Sequence, residues 1–400
     1  MKRILIVGAG AYQLPIIRRI SELGHEVYCV DKNITALGFK AANGYSQIDV
    51  LDKNACLEYA RTLGIDAVTT YGATITLPTV SFIGEKLGLP TLPLKTAEIS
   101  RSKYLIKKCL SDFGCNICGD FFEMNSPADA EKLVFSYPCV IKPSDGSGSK
   151  GVSIVTSEDQ LAAAIKYAYE SSRYGSFYSE SFIKGNEYTV EAFVSEGETY
   201  VYGIIKTTFE RNSCGELLYG HRLPSGLPSD VEEVISNEVK KAVSALGITM
   251  MSVNFDVIWS ESERKAYIID CGVRIGQNLI SSHLVPISRG VNVLDNTIKM
   301  ALGEKVDAKP KTNKCVATRL LIYNPGVITE IKDVTELKGK NGVIDVVLRK
   351  RVGDVQNEYK DKSDTCGWVI ATGKTPEEAE ANAEKARNKL KDYIIIKKTQ

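Results

Sequence analysis

The segment Pro138-Cys139-Val140-Ile141-Lys142-Pro143-Ser144-Asp145-Gly146-Ser147-Gly148-Ser149-Lys150-Gly151-Val152 constrains this chain most. A short apolar strand, Cys139–Lys142, delivers one lysine into a loop of small residues that carries Gly146, Gly148 and Gly151. A second strand begins at Val152. Glycine lets backbone N–H groups approach an anion with no Cβ in the way, and a lysine adds a point charge. This is chemistry for holding a polyphosphate. It is not the P-loop, because no Gly-Lys-Ser/Thr opens a helix here. An ordinary glycine-rich hairpin is the plain alternative, so the weight of the segment rests on its partners further along the chain.

Four hundred residues suggest two or three domains. A 44% hydrophobic and 25% charged composition is that of a globular protein with a large core. Lys+Arg 50 against Asp+Glu 49 leaves a net charge of +1, which gives no reason to expect a nucleic-acid or anionic-membrane partner. No apolar run approaches the roughly 20 residues that span a bilayer. Met1–Val7 runs directly into a strand and Gly8 without the longer apolar region of a signal peptide, so a cytoplasmic location is expected. The ten cysteines read as reduced thiols. Cys115 and Cys118 form a C-x-x-C, but no second pair stands at zinc-site spacing. The three histidines are too scattered for a metal site.

Residues 1–98 alternate strand and helix signals: strand Ile4–Val7, helix Leu14–Leu23 ending at Gly24, strand Glu26–Val30 closing on Asp31, strand Ala67–Thr70, and an apolar stretch near Leu89. This is a parallel, doubly wound pattern. The first turn holds Gly8, Gly10 and Gln13, with Asp31 about twenty residues on, as in a dinucleotide fingerprint that lacks its third glycine. A tight strand-to-helix turn, an NAD site, and a substrate anion at the helix N-terminus all remain open for it.

From 99 to 308 helix signals cover Arg101–Phe113 and begin again at Ser126 and at Ser157, where Gln160 completes a capping box. Strands are expected at Phe121–Met124, Cys139–Lys142, Val152–Val155 and Phe177–Ile183, making a lid-like unit over about 119–183. Longer antiparallel strands, Tyr188–Ser195 and Thr199–Ile205, come next. The polar segment Asp307–Lys314 reads as a boundary, leaving 309–400 as a small final domain with strands Val316–Tyr323, Val343–Leu348 and Gly367–Thr372 and a helix from Thr375.

Downstream of the loop, Asn254-Phe255-Asp256 and Ile268-Ile269-Asp270-Cys271-Gly272-Val273-Arg274 place two carboxylates and an arginine on two strands joined by a hairpin. Strand interiors disfavour aspartate. Two of them on neighbouring strands suggest a shared cation, and hard oxygen ligands suit Mg²⁺. Arg274 would complement a transferred phosphoryl group. Pairing with surface lysines is the bland alternative for both acids.

In this order of parts the chain resembles the ATP-grasp superfamily along nearly its whole length. The segment Gly367–Gly373 and the Pro-Glu-Glu-Ala helix resemble the last domain of its biotin carboxylase-like and carbamoyl-phosphate synthase-like branch. The resemblance implies an α/β and α+β architecture: a Rossmann-like amino-terminal domain (1–98), an ATP-grasp fold with a mobile lid (99–308) and a small carboxy-terminal α+β domain (309–400). It implies that Lys103 and Lys142 contact ATP phosphates, with Lys142 also near the adenine, and that Gly146, Gly148 and Gly151 close over them. Glu180 would accept the adenine amino group, Ser181, Phe182 and Ile183 would form the hinge, and Glu187 would bind the ribose. Asp256 and Asp270 would hold Mg²⁺ (Mn²⁺ being the alternative), and Arg274 would stabilise the acyl-phosphate step. The family usually has glutamate and asparagine where Asp270 and Gly272 stand, so one ligand to the second metal is missing; Asn278 or a water would be the substitute.

The implied activity is an ADP-forming carboxylate–amine ligase working on small molecules, amino acids first. Gly8, Gly10, Gln13, Arg211, His221 and Arg222 are the candidate substrate residues, with a structural role equally open for His221. A homodimer is compatible with this. The rivals are a bicarbonate-activating carboxylase, whose signature Phe209–Cys214 matches poorly, a purine-pathway ligase, a nucleotide sensor without turnover, and a dinucleotide oxidoreductase.

Overall fold

The computed structural model describes residues 1–146, 150–212, 215–360 and 364–398, without the side chains of 211, 212, 215 and 216. The amino-terminal part is a parallel sheet of β1 (Arg3–Val7), β2 (Glu26–Val30), β3 (Gly44–Ser46) and β4 (Ala67–Thr69) in the order β3-β2-β1-β4. The helices α1 (Leu14–Glu22), α2 (Lys53–Leu63), α3 (Leu77–Leu87) and α4 (Leu94–Ile99) complete it. β1 is apolar on both faces, and its two sets of side chains enter two separate core clusters. That is the pattern of a strand covered on both sides. Leu89 lies in the connection after α3, not in a strand.

The middle of the chain opens with α5 (Lys103–Asp112), whose N-cap Ser102 accepts the Leu105 N–H. A small antiparallel sheet comes next, β5 (Phe121–Met124), β6 (Cys139–Pro143), β7 (Ser153–Val155) and β8 (Phe177–Ser181), ordered β5-β8-β6-β7. It is backed by the one-turn α6 (Pro127–Ala130) and by α7 (Leu161–Ser171), around its own apolar cluster. The expected capping box is not formed: Glu158–Gln160 is a 3₁₀ turn, and the Gln160 side chain accepts the Thr156 N–H instead.

The main sheet is made by β9 (Asn186–Ser195), β10 (Glu198–Asn212), β11 (Gly215–Leu223), β12 (Met251–Ser260) and β13 (Lys265–Gly272), with α8 (Ser229–Ala245), α9 (Val285–Arg289) and α10 (Val293–Ala301) against the same core. Three later strands extend it. β14 (Cys315–Leu320) pairs with β11, and β18 (Gly367–Gly373) and β16 (Val343–Leu348) lie beyond it, so one eight-stranded sheet crosses the polar segment expected to separate two domains. A three-stranded sheet of β15 (Gly326–Ile331), β17 (Val355–Gln356) and β19 (Ile394–Lys397), with α11 (Pro376–Lys389), completes the fold. Among the described residues no helix is long and apolar enough to cross a membrane.

Candidate active site

Lys142 and Glu180 stand on adjacent strands of the small sheet. Lys142 pairs with Tyr178 and Val140 with Glu180, so both side chains project from one face. Their charged ends meet at 2.6 Å, and the Lys107 ammonium reaches the other carboxylate oxygen at 2.6 Å. All three residues are buried. Lys142 also donates to the Ile269 carbonyl at 3.2 Å and lies 5.2 Å from the Tyr178 ring centre. Burial pushes the Glu180 carboxyl upward, but the two ammonium groups outweigh it and hold the acid below its usual range. The sequence does not single out Lys107. A lysine on a helix carries no local signal that distinguishes it from Lys103.

Lys103 opens α5. Its N–H donates to the Ser144 carbonyl at 2.7 Å, which ties the helix to the start of the glycine loop, and its ammonium contacts Asp270. Burial raises the Asp270 acid, yet the charges of Lys103 and Lys142 bring it down to about 2. At the loop's entry Asp145 is fixed by Ser172 Oγ and the Arg173 N–H. A Cβ at Gly146 would sit 2.5 Å from the Pro143 ring, and Gly151 has φ +79°, so both positions favour glycine. Gly148 lies outside the described residues. The Ser181 and Phe182 N–H groups donate to the carbonyls of Asp120 and Pro138. The strand ends at Ser181, so Ile183 lies beyond it, and Glu187 is the second residue of β9.

Asp256 and Asp270 are direct cross-strand partners on β12 and β13. Thr189, opposite Asp256 on β9, donates to its carboxylate at 3.1 Å. Arg274 lies just past the end of β13 and donates to the Ile275 carbonyl. Its guanidinium lies over Gly272, where a Cβ would come within 3.2 Å of Cζ. The donor set fits a divalent cation: two hard carboxylates face one another, and one already draws in the ammonium of Lys103.

The amino-terminal turn adjoins this region. Gln13 Nε2 donates to the Tyr71 carbonyl at 2.6 Å, and Gln277 Nε2 donates to the next carbonyl, Gly72, at 2.9 Å. Gln13 Oε1 accepts the Gly10 N–H, filling the turn where a third glycine would leave space. Asp31 accepts the Ala9 N–H, so the acid that would mark a dinucleotide ribose is spent on the turn beside Gly8.

Two substrate candidates lie elsewhere. The Arg222 guanidinium donates to the Ser225 carbonyl, Glu377 and Glu380, bracing β11 against α11. Its donors serve the carboxy-terminal contact. His221 is buried on β11 opposite Thr318, whose hydroxyl accepts the His221 backbone N–H. The Arg211 side chain lies outside the described residues. The C-x-x-C thiols are buried, with Cys118 Sγ 3.2 Å from Lys107 Nζ, and burial pushes both up to about 11, out of the reactive range.

Glu191 is a buried acid beside the candidate site that sequence reasoning misses. It is fully buried on β9 and accepts from Asn254 Nδ2 at 2.6 Å, the Gly276 N–H at 3.1 Å and the Tyr202 hydroxyl at 3.4 Å. Burial raises its pKa to about 7 against those donors and the Arg274 charge. A lone carboxylate in the run Tyr-Thr-Val-Glu-Ala-Phe-Val carries the same signal that singles out the two aspartates.

Residues 135–282 match the model of the ATP-grasp domain, and residues 319–393 match that of the L-amino acid ligase C-terminal domain 2. The chain contains an ATP-grasp domain. The D-alanine–D-alanine ligase of Geotalea uraniireducens is 32% identical over 167 residues, covering 40% of this chain and 51% of the relative. The chain spans about half the length of the curated relatives it matches. In fold it is similar to an L-amino acid ligase from Bacillus licheniformis, with TM-score 0.83 and 23% identity over 100% of this chain and 99% of that one. It is also similar to a phosphoribosylglycinamide synthetase from Anaerococcus prevotii, with TM-score 0.77 and 22% identity over the whole of both chains.

Proposed function

We propose that this protein is an ADP-forming ligase that activates the carboxylate of one amino acid as an acyl phosphate and joins it to the amine of another. The observation that carries the proposal is the facing pair Asp256 and Asp270, with Arg274 beside them and Lys103 and Lys142 directed at the same region. The match of the carboxy-terminal residues to a domain named for L-amino acid ligases supports amino acids as the substrate class.

Lys142 and Lys103 bind the phosphates of ATP, and Glu180 with the hinge carbonyls takes the adenine. Mg²⁺ held by Asp256 and Asp270 would neutralise charge on the terminal phosphoryl group. A substrate carboxylate oxygen bonds to the γ-phosphorus as its bond to the β-phosphate oxygen breaks, releasing ADP. The amine then attacks the acyl carbon, phosphate leaves, and the amine gives up a proton. Arg274 faces the charge that develops on the transferring group, with a planar two-pronged donor.

The test is a screen of paired amino acids with ATP and Mg²⁺, read by mass spectrometry for the condensed product and by phosphate release. ADP, phosphate and an amide product in equal amounts are expected. Nucleotide binding with no turnover across the panel would favour the sensor, and AMP with pyrophosphate would overturn the mechanism.

A further inference from the structure

Position 272 has no side chain, and the space above its Cα is occupied by the Arg274 guanidinium. Directly across the ladder stands Asn254, the cross-strand partner of Gly272. Paired residues, and residues two apart on a strand, share a face of the sheet. Asn254, Asp256, Asp270 and Gly272 therefore form one patch, which Thr189 and Glu191 extend onto β9.

Glu191 fixes how Asn254 is turned. Three donors converge on its carboxylate: Asn254 Nδ2, the Gly276 N–H and the Tyr202 hydroxyl. A carboxylate so surrounded takes the amide nitrogen of Asn254 and directs Oδ1 away from itself. Among the described residues the Asn254 side chain is held through Nδ2 alone. The contact with Gly276 is close enough that a Cβ there would overlap the Glu191 carboxylate, so the loop from Arg274 to Gln277 is seated on the same acid.

We propose that Asn254 Oδ1 is the neutral oxygen ligand of the cation held by Asp256 and Asp270, supplied from the strand opposite the bare position 272, and that Glu191 is the positioning residue that aims it. The donor set becomes two carboxylates and one amide oxygen, a combination suited to a hard divalent ion that keeps some of its waters. A buried acceptor behind a ligand, fixing its orientation, is the ordinary second layer of a metal site. This inference rests on the functional proposal above.

The test uses Mn²⁺ with a non-hydrolysable ATP analogue, reading bound Mn²⁺ by electron paramagnetic resonance and analogue affinity separately in chelator. Asn254→Ala should weaken Mn²⁺ about tenfold and leave analogue affinity in chelator unchanged. The double variant Asn254→Asp with Glu191→Gln, which keeps an oxygen at position 254 and an amide donor behind it, should hold Mn²⁺ at least as tightly as the wild type. Glu191→Gln alone should weaken Mn²⁺ by a smaller factor than Asn254→Ala. Unchanged Mn²⁺ affinity in Asn254→Ala overturns the proposal, as does a double variant that loses as much as the alanine. If melting shows that the alanine variant does not fold, the double variant decides alone. A wild type that binds the analogue but takes up no Mn²⁺ defeats the ligand assignment. One that binds no analogue defeats the functional proposal beneath it.

Discussion

Two clusters of charge differ in how their cations are served. Beside the small sheet two buried ammonium groups, Lys107 and Lys142, share the one buried carboxylate of Glu180, while Lys103 contacts Asp270. Between the main sheet and α11, Arg222, Arg319 and Arg387 meet Glu210, Glu377, Glu380 and Glu384, so acids outnumber cations there among the described residues. Tyr219 adds its hydroxyl to Glu384 at 2.5 Å. A cluster in which every guanidinium has its own acid needs nothing further and serves as a joint. Two buried cations on one acid are costly unless an anion joins them, which is the pattern a nucleotide phosphate would complete.

The largest expected effect falls on the joint. Glu380→Ala removes the shared acceptor of Arg222 and Arg319 and should cost roughly 3 kcal/mol of stability in chemical denaturation. ATP affinity should be unchanged, and a parallel loss of nucleotide binding would erase the distinction between the clusters. Arg274→Lys replaces a planar fork by a point charge and should lower turnover about a hundredfold, with little change in ATP affinity. Equal losses in both would place Arg274 in ground-state binding. Lys142→Ala should weaken ATP binding by about 1.5–3 kcal/mol in calorimetry. It should cost less stability than Glu380→Ala, because Glu180 keeps Lys107.

The smallest effect is a pH dependence at Glu191. Its carboxyl is raised from 4.5 to about 7 by burial. Below about 4.5 it is protonated in both folded and unfolded chains; between there and about 7 only the folded protein keeps the proton. Its contribution to stability therefore falls as pH rises through that window. Thermal melts of wild type at pH 5 and pH 8 should differ more than those of Glu191→Gln. Identical differences would remove this acid as the source.

Much of the candidate site is legible in the sequence because its signals are local. Lys142 precedes its glycines directly, and Asp256 and Asp270 each stand out within an apolar strand. The strand–helix alternation of the first part is equally local, since burial on both faces shows in the residues themselves. The joint is not legible. Arg222 finds Glu377 and Glu380 more than 150 residues later in the chain, and nothing near it in sequence separates a buried brace from a substrate-binding arginine. The same reach hides the continuity of the main sheet: β14 joins β11 across a segment whose composition signals only a loop. Asn254 and Glu191 escape for a third reason. Their meaning comes from strand register, and no single strand shows which residues stand opposite one another.

The most direct test of the ligase account traces one oxygen atom. With the substrate pair identified, the reaction is run with ¹⁸O in the carboxylate of the activated amino acid, and the products are examined by ³¹P nuclear magnetic resonance. Transfer of the terminal phosphoryl group to that carboxylate places one ¹⁸O in the released inorganic phosphate and none in ADP. Label in AMP, or phosphate without label, would contradict the account.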